Sequence, residues 1–411
     1  MTPDKSRRFA GTGLWRRQGI LVKPSAAGVQ YLLDFSDATF VRSSEAAAVD
    51  PRNGWAFYDT VAPWPGTNVP RILDDGSILL EEARTNLVPN SENISAWPTL
   101  GSPTLTGGQD APDGASDAYF VEDPGSGANA VRRVGLVVST SVPYAYTAYL
   151  GKSDPPPSYP VFRILGNTGL DPRMSINPAD GDHNMLTAGA DTSFIWDVDS
   201  GFWRVAIVKT TDASETDEDI YFYPAWDEDF SGSLDTNAGG GHVFWGVQME
   251  LGIHPTSPIR TSGGSATRSI DQCTFASGDV PADMKSGVFS VDVTPEFSGQ
   301  DVIDDGIDRV IFAFNTGSTN RLYFRRAGSD CVISAAQSGV KLTSGAITFS
   351  RGQTLTLTFD SVAGSVTVAG ATTGDGTTVG TTWTMPAGTL YVGNRESFTL
   401  PFSGVIGRPY L

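Results

Sequence analysis

The sequence predicts an all-β protein, in which an extended N-terminal arm precedes two antiparallel β-sandwich domains of the jelly-roll type. Glycine (46 residues) and proline (26 residues) are abundant, charged residues make up only 18% of the chain, and long helical patterns are rare. Short segments with alternating apolar and polar residues recur between turn-rich stretches, as β-sandwiches require. A chain of 411 residues is long enough for two or three domains with their own cores.

The first 33 residues form a basic arm. Residues 1–33 carry six basic side chains and one acidic side chain, a net charge of +5. The whole chain has a net charge of −18, so the remaining residues have a net charge of −23. A basic arm ahead of an acidic body favours docking onto another protein, although a disordered tail would have the same composition. Apolar residues in the arm favour docking, because buried anchors supply most of an interface's affinity. The docking candidates are Arg7, Arg8, Leu14, Trp15, Arg16 and Arg17.

Residues 34–88 form the next predicted segment. From Tyr31 the chain shows a short strand, a turn and a second strand, and then an irregular connection with prolines at 63, 65 and 70. So short a segment cannot bury a core of its own. We therefore expect it to pack on neighbouring copies of the chain or on the docking partner of the arm.

Residues 89–271 are predicted to form the first sandwich. Its closing strand, Val243–Leu251, alternates between two faces, with Val243, Trp245, Val247 and Met249 on one of them. The other predicted strands are Val131–Val138, Tyr144–Leu150, Val161–Leu165, Phe194–Trp196, Trp203–Lys209 and Ile220–Ala225. Large aromatic residues within such strands are expected to be core, namely Trp196, Trp203 and Trp245.

Residues 272–411 are predicted to form the second sandwich. In Thr354–Phe359 three apolar residues alternate with three threonines, the pattern of a strand with one wet face. The other predicted strands are Val288–Val293, Val310–Phe314, Arg321–Arg326, Ala346–Phe349, Ser365–Ala369, Thr389–Val392 and Arg408–Leu411. Cys273 and Cys331 are expected to be reduced, partly buried thiols, because two cysteines in so long a chain do not make a disulfide scaffold.

Two motifs frame the first sandwich. One is LLEEARTNL at Leu79–Leu87, followed by PNSE at Pro89–Glu92 and by Trp97, and the other is VFWGVQMELGIHPTSPIRTSGGSATRSID at Val243–Asp271. Together they resemble the sequences that introduce and close the middle domain of many bacteriophage virion proteins, chiefly tail-fibre and minor structural proteins. The layout between them is similar to jelly-roll carbohydrate-binding modules. The run Thr389–Gly407 resembles the end of concanavalin A-like, laminin-G-like jelly rolls.

The resemblance implies a virion structural protein, assembled in the host cytoplasm and exposed on the extracellular particle. Its expected role, of the tail-fibre or tail-tip type, is to project lectin-like sandwiches that attach to a host-surface glycan, with other virion proteins bound through the arm. A homotrimer is expected, because phage fibres of this type commonly close their N-terminal parts around a threefold axis. One alternative is a capsid-decorating or head-fibre protein, and a second is a polysaccharide-degrading virion enzyme.

Sugar binding would use aromatic faces stacked on pyranose rings, with polar side chains nearby. Trp226 lies in a predicted acidic loop, and its sequence context fits a core residue and a sugar-binding residue equally well. The other glycan-binding candidates are Asp227, Tyr221 and Tyr223. The acidic runs 212–219 and 227–229 could offer oxygens to Ca²⁺. They lack the spacing of a known calcium loop, so a solvated face is the favoured interpretation and no cofactor is expected.

The sequence gives little support for catalysis. The three histidines, His183, His242 and His254, have no metal-ligand spacing, and no G-x-S-x-G elbow, phosphate-binding loop or C-x-x-C motif occurs. The many carboxylates of the chain could supply the catalytic pair of a glycosidase, but we expect that the protein is not an enzyme. The net charge of −18 argues against nucleic acid as a partner, no apolar run is long enough to span a membrane, and no secretion signal is expected at the N-terminus.

Overall fold

Two β-sandwiches build the protein, and the first is inserted into the second. The computed structural model describes residues 32–47, 49–53, 56–57, 64–73, 75–125, 127–153, 158–198, 201–227, 230, 238–282, 284, 287–314, 320–337, 340–372, 376–379, 388–393 and 402–410. The docking candidates of the arm lie outside these residues, namely Arg7, Arg8, Leu14, Trp15, Arg16 and Arg17.

Short strands occupy the chain before the inserted sandwich. They are β1 (Thr39–Val41), β2 (Val49–Asp50), β3 (Ala56–Phe57), β4 (Arg71–Ile72), β5 (Ile78–Leu80) and β6 (Arg84–Asn86). The 3₁₀ helices of the described residues are Phe35–Asp37, Pro51–Asn53 and Ile94–Ala96. The first of these is capped by Asp34, whose carboxylate accepts a hydrogen bond from the Ser36 amide at 3.0 Å.

The inserted sandwich packs two six-stranded antiparallel sheets face to face, in the orders β14-β13-β12-β17-β10-β7 and β15-β16-β11-β18-β9-β8. Its strands are β7 (Thr99–Leu100), β8 (Thr104–Gln109), β9 (Ala118–Asp123), β10 (Ala130–Val137), β11 (Pro143–Gly151), β12 (Tyr159–Gly166), β13 (Arg173–Ile176), β14 (His183–Met185), β15 (Thr192–Val198), β16 (Phe202–Thr210), β17 (Asp217–Asp227) and β18 (Gly240–Leu251). Side chains from both sheets fill one core, among them Tyr146, Phe162 and Phe222. Every predicted strand of this domain is confirmed, with bounds that shift by a few residues.

The alternation of the closing strand β18 is interrupted at Gly246. This glycine has φ +62° and lies where the register against β11 shifts, so it forms a β-bulge. Phe244 therefore points into the sandwich core before the bulge, and Val247 points into it after the bulge. Trp245 lies on the outer face of the sheet, against Tyr149. The predicted single face shared by Val243, Trp245, Val247 and Met249 is wrong, because one extra residue reverses the alternation.

The outer sandwich packs two seven-stranded antiparallel sheets, in the orders β1-β20-β29-β22-β23-β24-β25 and β28-β27-β26-β21-β30-β5-β4. Its C-terminal part contains β20 (Gln272–Phe275), β21 (Val288–Pro295), α1 (Gly299–Asp305), β22 (Arg309–Phe314), β23 (Arg321–Ala327), β24 (Asp330–Ala336), β25 (Val340–Thr343), β26 (Leu355–Asp360), β27 (Ser365–Ala369), β28 (Gly376–Val379), β29 (Leu390–Val392) and β30 (Gly404–Ile406). The short strand β19 (Ala266–Arg268) pairs with β6 where the chain leaves the inserted sandwich. All strand pairs described are antiparallel, and the predicted all-β sandwich fold is confirmed.

The N-terminal strands belong to the outer sandwich. Strand β1 pairs with β20, and β5 pairs with β30 in a register that sets Leu80 opposite Gly404. Leu33, Phe35 and Ile78 are buried in the same core as Phe289. Strands more than 230 residues away in the same chain therefore complete the core of residues 34–88, so packing on other copies or on a docking partner is not needed for that core and stays a prediction. The homotrimer remains a prediction, but the idea that residues 34–88 lack a core within their own chain no longer supports it.

The C-terminal sandwich follows its predicted pattern with local exceptions. Leu355, Leu357 and Phe359 are buried, and the threonines between them are half-exposed, as the alternation predicts. The last strand is β30, so the predicted strand Arg408–Leu411 is wrong and only Tyr410 forms a bridge, to Ser290. Likewise Ala346–Phe349 has isolated bridges in place of a strand, at Ile347, which pairs with Cys331, and at Thr348. Both cysteines are buried free thiols, as expected, and burial raises the pKa of Cys331 to about 12.

Within the described residues, no helix is long and apolar enough to cross a membrane.

Candidate binding sites

The two sequence motifs meet in a buried ion cluster between the sandwiches, which we call the joint. It consists of Arg42, Arg71, Glu81, Arg268 and Asp271, each at most 3% exposed. Arg71 pairs with both Glu81 and Asp271, Arg42 Nη1 lies 3.2 Å from Asp271 Oδ1, and Arg268 Nη1 lies 3.1 Å from Glu81 Oε2. Three cations thus hold two carboxylates at the place where the chain enters and leaves the inserted sandwich.

The charges of the joint depend on one another. Burial alone would raise the pKa of Glu81, but Arg268 and Arg71 hold it at about 2. The backbone amides of Ser257 and Glu81 add hydrogen bonds, to Glu81 Oε1 at 2.7 Å and to Asp271 Oδ2 at 2.9 Å. Removing either carboxylate would leave buried guanidinium groups without compensation, which is costly.

The remaining polar residues of the closing motif hold the loop that follows β18. The carboxylate of Glu250 accepts hydrogen bonds from the Thr256 amide at 2.6 Å and from the Thr256 hydroxyl at 2.7 Å. Gln248 donates to Glu250 at 2.7 Å and accepts from the Ile259 amide at 2.8 Å. These side chains face away from the core because of the Gly246 bulge, and their role is to fix the connection to the outer sandwich.

The predicted glycan-binding residues lie on the outer face of the sheet that contains β17. Tyr221, Tyr223 and Trp226 are only 5%, 3% and 4% exposed, and Asp227 is 1% exposed. Strand β17 continues through Asp227, so the prediction that Trp226 lies in an exposed loop is wrong.

Arginine side chains cover these rings. The guanidinium of Arg163 lies 5.1 Å from the Tyr221 ring centre and donates to the Tyr223 hydroxyl at 3.0 Å, while Arg173 lies 5.5 Å from the Trp226 ring centre. Arg163 and Arg173 both pair with Asp171. This cluster leaves no open ring face on which a sugar could stack, and its contacts are those of a stabilising polar network.

The acidic run 212–219 is partly buried, against the predicted solvated face. Lys209 Nζ lies 2.8 Å from Glu215 Oε1 and 2.6 Å from Glu218 Oε1, and all three side chains are inaccessible to solvent. One ammonium cannot neutralise two carboxylates, and burial raises the pKa of Glu218 to about 8. Glu218 therefore keeps its proton at neutral pH. Of the other run, Asp227 is described, and it accepts a hydrogen bond from the Phe230 amide at 3.1 Å.

Three carboxylates that the sequence analysis did not single out converge elsewhere. Oxygen atoms of Glu92, Asp113 and Asp117 lie within 4.8 Å of one another. Arg260 pairs with Glu92 and Asp113, and the indole of Trp245 donates to Asp117 at 2.7 Å. Burial is the main reason that the pKa of Glu92 is raised to about 7, and the repulsion from Asp117 adds to it against the attraction of Arg260. The Arg260 guanidinium thus already neutralises part of the negative charge of this cluster.

A cleft lies between the two sandwiches, with a cavity of about 150 Å³. We call it the cleft, and its lining residues are Pro51, Phe194, Trp196, His254, Pro255, Glu296, Arg351 and Gly352. The rings of Phe194 and Trp196 stack with centres 5.2 Å apart, and both are half-buried. Trp196 was predicted to be core, but it lies on β15, an edge strand of its sheet.

Two buried polar groups line the cleft. The two ring nitrogens of His254 have no hydrogen-bond partner among the described residues, and the same is true of the Oε1 atom of Glu296. Glu296 Oε2 accepts from the Ser403 hydroxyl at 2.6 Å. Arg351 crosses from the outer sandwich to the Ile253 carbonyl at 2.6 Å and pairs with Asp301. The sequence holds one signal for this site, the F-x-W alternation of Phe194 and Trp196, but it does not show that their strand is an edge.

Comparisons with known proteins find likeness in structure and none in sequence. No family model and no curated protein matches the sequence. The structure is similar to that of the N-terminal CBM22-1-CBM22-2 tandem domain from Paenibacillus barcinonensis Xyn10C, with 9% identity and a TM-score of 0.27 over 80% of this chain and 98% of the other. Likeness at this level carries no functional argument.

Proposed function

We propose that the protein is a structural component of a bacteriophage particle, and that it attaches to a glycan of the host surface without hydrolysing it. Its two sandwiches act as one rigid unit, and the basic arm, residues 1–33, binds another virion protein. The glycan binds in the cleft rather than at the Trp226 cluster.

The joint supports the structural part of this proposal. Glu81, Arg268 and Asp271 belong to the motifs that resemble virion proteins, and all three are buried in one ion cluster. A network with this many partners fixes the relative position of two domains better than a flexible linker does.

The stacked pair Phe194–Trp196 is the observation that carries glycan binding. Both rings are half-buried at the wall of a cavity, and the polar residues His254, Glu296 and Arg351 line the same cavity. Aromatic faces combined with a few convergent polar groups are what sugar sites use. The Tyr221, Tyr223 and Trp226 cluster has the aromatic rings but lacks the open face.

A glycan array tests the attachment part. The purified full chain should bind a subset of immobilised bacterial surface polysaccharides, and the bound polysaccharide should show no new reducing ends after prolonged incubation. Absence of binding to every polysaccharide would overturn glycan attachment, and release of reducing ends would support the enzyme alternative. Immunogold labelling of particles tests placement: label at the tail supports the proposal, whereas label over the capsid supports the head-fibre alternative.

A further inference from the structure

We propose that the cleft continues into a second sugar subsite on the outer face of the sheet that contains β21, so that the protein holds an uncharged glycan through at least two consecutive sugar rings. This inference rests on the proposed function. It adds the length and the charge of the glycan that is recognised, and the side chains of the second subsite.

The second subsite is an open cavity of about 320 Å³ on the outer sandwich, which we call the groove. Cavities that hold small ligands usually measure about 300–1,000 Å³, so the groove is large enough for a sugar ring. The side chains that offer polar groups to it are Arg52, Asp75, Asp292, Thr354, Arg408 and Tyr410.

The groove adjoins the cleft. Two residues of an extended chain span about 7 Å, and the residues that line the two cavities are no further apart than this along the chain. Trp196, in the wall of the cleft, also packs against the apolar cluster that contains Val405 of the groove. A glycan that leaves the cleft beside Trp196 therefore enters the groove. The neighbouring lining residues, cleft first, are Pro51 and Arg52, Glu296 and Thr294, and Gly352 and Thr354.

The alternation of β21 directs polar side chains into the groove. Val291 and Val293 are buried in the core of the outer sandwich, so Asp292 and Thr294 lie on the opposite face of the sheet. The Thr294 hydroxyl lies 2.8 Å from that of Thr354, which is exposed. Hydroxyls and a carboxylate thus form one wall of the groove on a rigid sheet.

Asp292 is the main hydrogen-bond acceptor of the groove. It is half-buried, and its Oδ1 atom accepts from the Thr356 hydroxyl at 2.6 Å and from the Tyr410 hydroxyl at 3.4 Å. Among the residues that the structure describes, no donor reaches its Oδ2 atom, which can therefore accept from a sugar hydroxyl. Tyr410 lies beside this carboxylate and is also half-buried, so its ring offers aromatic surface to the same sugar.

The charges of the groove favour an uncharged glycan. Arg52 pairs with Asp75 at 2.8 Å and with Asp50 at 3.0 Å, and Arg408 donates to the Asp75 carbonyl at 3.0 Å. Together with Asp292, three carboxylates accompany two guanidinium groups. A sugar carboxylate or phosphate would place a further negative charge beside Asp292, and such like-charge contacts are costly.

Calorimetric titration of the full chain with glycan fragments of increasing length tests this inference. The probes are fragments of one, two and three sugar residues, prepared by mild acid hydrolysis of the polysaccharide that the wild type binds most tightly on the array. Asp292→Asn tests the groove, because the amide keeps one acceptor for Thr356 and turns the other oxygen into a donor. Phe194→Ala tests the cleft.

Each variant has a matched control. Asp219→Asn changes another half-buried strand aspartate that accepts from a tyrosine hydroxyl, that of Tyr221 at 3.2 Å, on β17 of the inserted sandwich. Phe230→Ala changes another half-buried aromatic pair, in which Phe230 and Tyr159 have ring centres 5.0 Å apart. Melting temperatures of all variants show whether each is folded.

The wild type and both controls should bind the three-residue fragment at least about tenfold more tightly than the single residue. Asp292→Asn should lose this gain and bind the single residue as the wild type does, whereas Phe194→Ala should bind every fragment more weakly. Equal wild-type affinity for all lengths, or a gain that Asp292→Asn retains, would overturn the groove and leave glycan attachment standing.

The polysaccharide array separates the other outcomes. Binding confined to polysaccharides with carboxylate or phosphate groups would overturn the uncharged ligand. Unchanged affinities in Phe194→Ala would overturn the cleft that the groove extends. Absence of wild-type binding to every polysaccharide would overturn glycan attachment itself, and the groove with it.

Discussion

Replacing Asp271 by asparagine should destabilise the outer sandwich more than any surface substitution. Asp271 Oδ1 lies 3.2 Å from Arg42 Nη1, and Oδ2 accepts from the Glu81 amide at 2.9 Å and pairs with Arg71. The asparagine keeps the shape but loses the charge. Arg71 retains the charged partner Glu81, whereas Arg42 loses its only charged partner in the joint and retains neutral acceptors, among them the Ser44 carbonyl at 2.8 Å.

The expected cost follows from burial. Removing one partner of a buried ion pair typically lowers the free energy of unfolding by about 3–5 kcal/mol, because the other charge is left uncompensated. Asp75→Asn is the matched control, since Asp75 pairs with Arg52 at 2.8 Å but its side chain is 54% exposed. Exposed pairs contribute at most about 1 kcal/mol.

Urea denaturation followed by far-UV circular dichroism measures both variants. The two sandwiches can unfold in separate transitions, so hydrogen-exchange mass spectrometry should show where stability is lost. We expect faster exchange at β5 and β30. If Asp271→Asn costs no more than Asp75→Asn, or if the added exchange appears only in the inserted sandwich, then the joint does not stabilise the outer sandwich as argued.

Three further predictions concern the rest of the chain. Native Glu218 keeps its proton up to about pH 8, whereas the unfolded chain loses it near pH 4.5, so the melting temperature should fall as the pH rises from 4.5 to 8. Glu218→Gln should make this fall smaller, and the control Glu122→Gln, at an exposed residue, should leave it unchanged. Trp226→Ala should lose about 3–5 kcal/mol in urea titrations and keep glycan affinity. Deleting residues 2–30 should leave the circular dichroism of both sandwiches intact and abolish assembly onto particles; normal occupancy would refute docking.

Local patterns in the sequence predicted much of the fold. The alternation of Leu355, Leu357 and Phe359 is a local property, and the strand it predicts is present. The pairing of β5 with β30 is different, because nothing near Leu80 indicates a partner at Gly404. A segment too short for its own core was therefore assigned to other chains, although its partner lies at the far end of the same chain.

The binding site was harder to predict for the same reason. Acidic residues after Trp226 indicated a loop, but the strand continues to Asp227, which pairs with Tyr159, and Arg173 lies over the Trp226 ring. The cleft brings together Phe194, His254 and Glu296 from three separate segments in two sandwiches. Their proximity depends on how the inserted sandwich is oriented, which the joint fixes through contacts that no local pattern encodes.

Adsorption competition tests the central claim, attachment to the host surface, most directly. Purified full chain at micromolar concentration should slow the adsorption of the phage that carries it to host cells, and Phe230→Ala should act as the wild type does. Phe194→Ala at the same concentration should compete at least about tenfold less well. Adsorption that proceeds at the same rate with and without saturating wild-type protein would contradict the account.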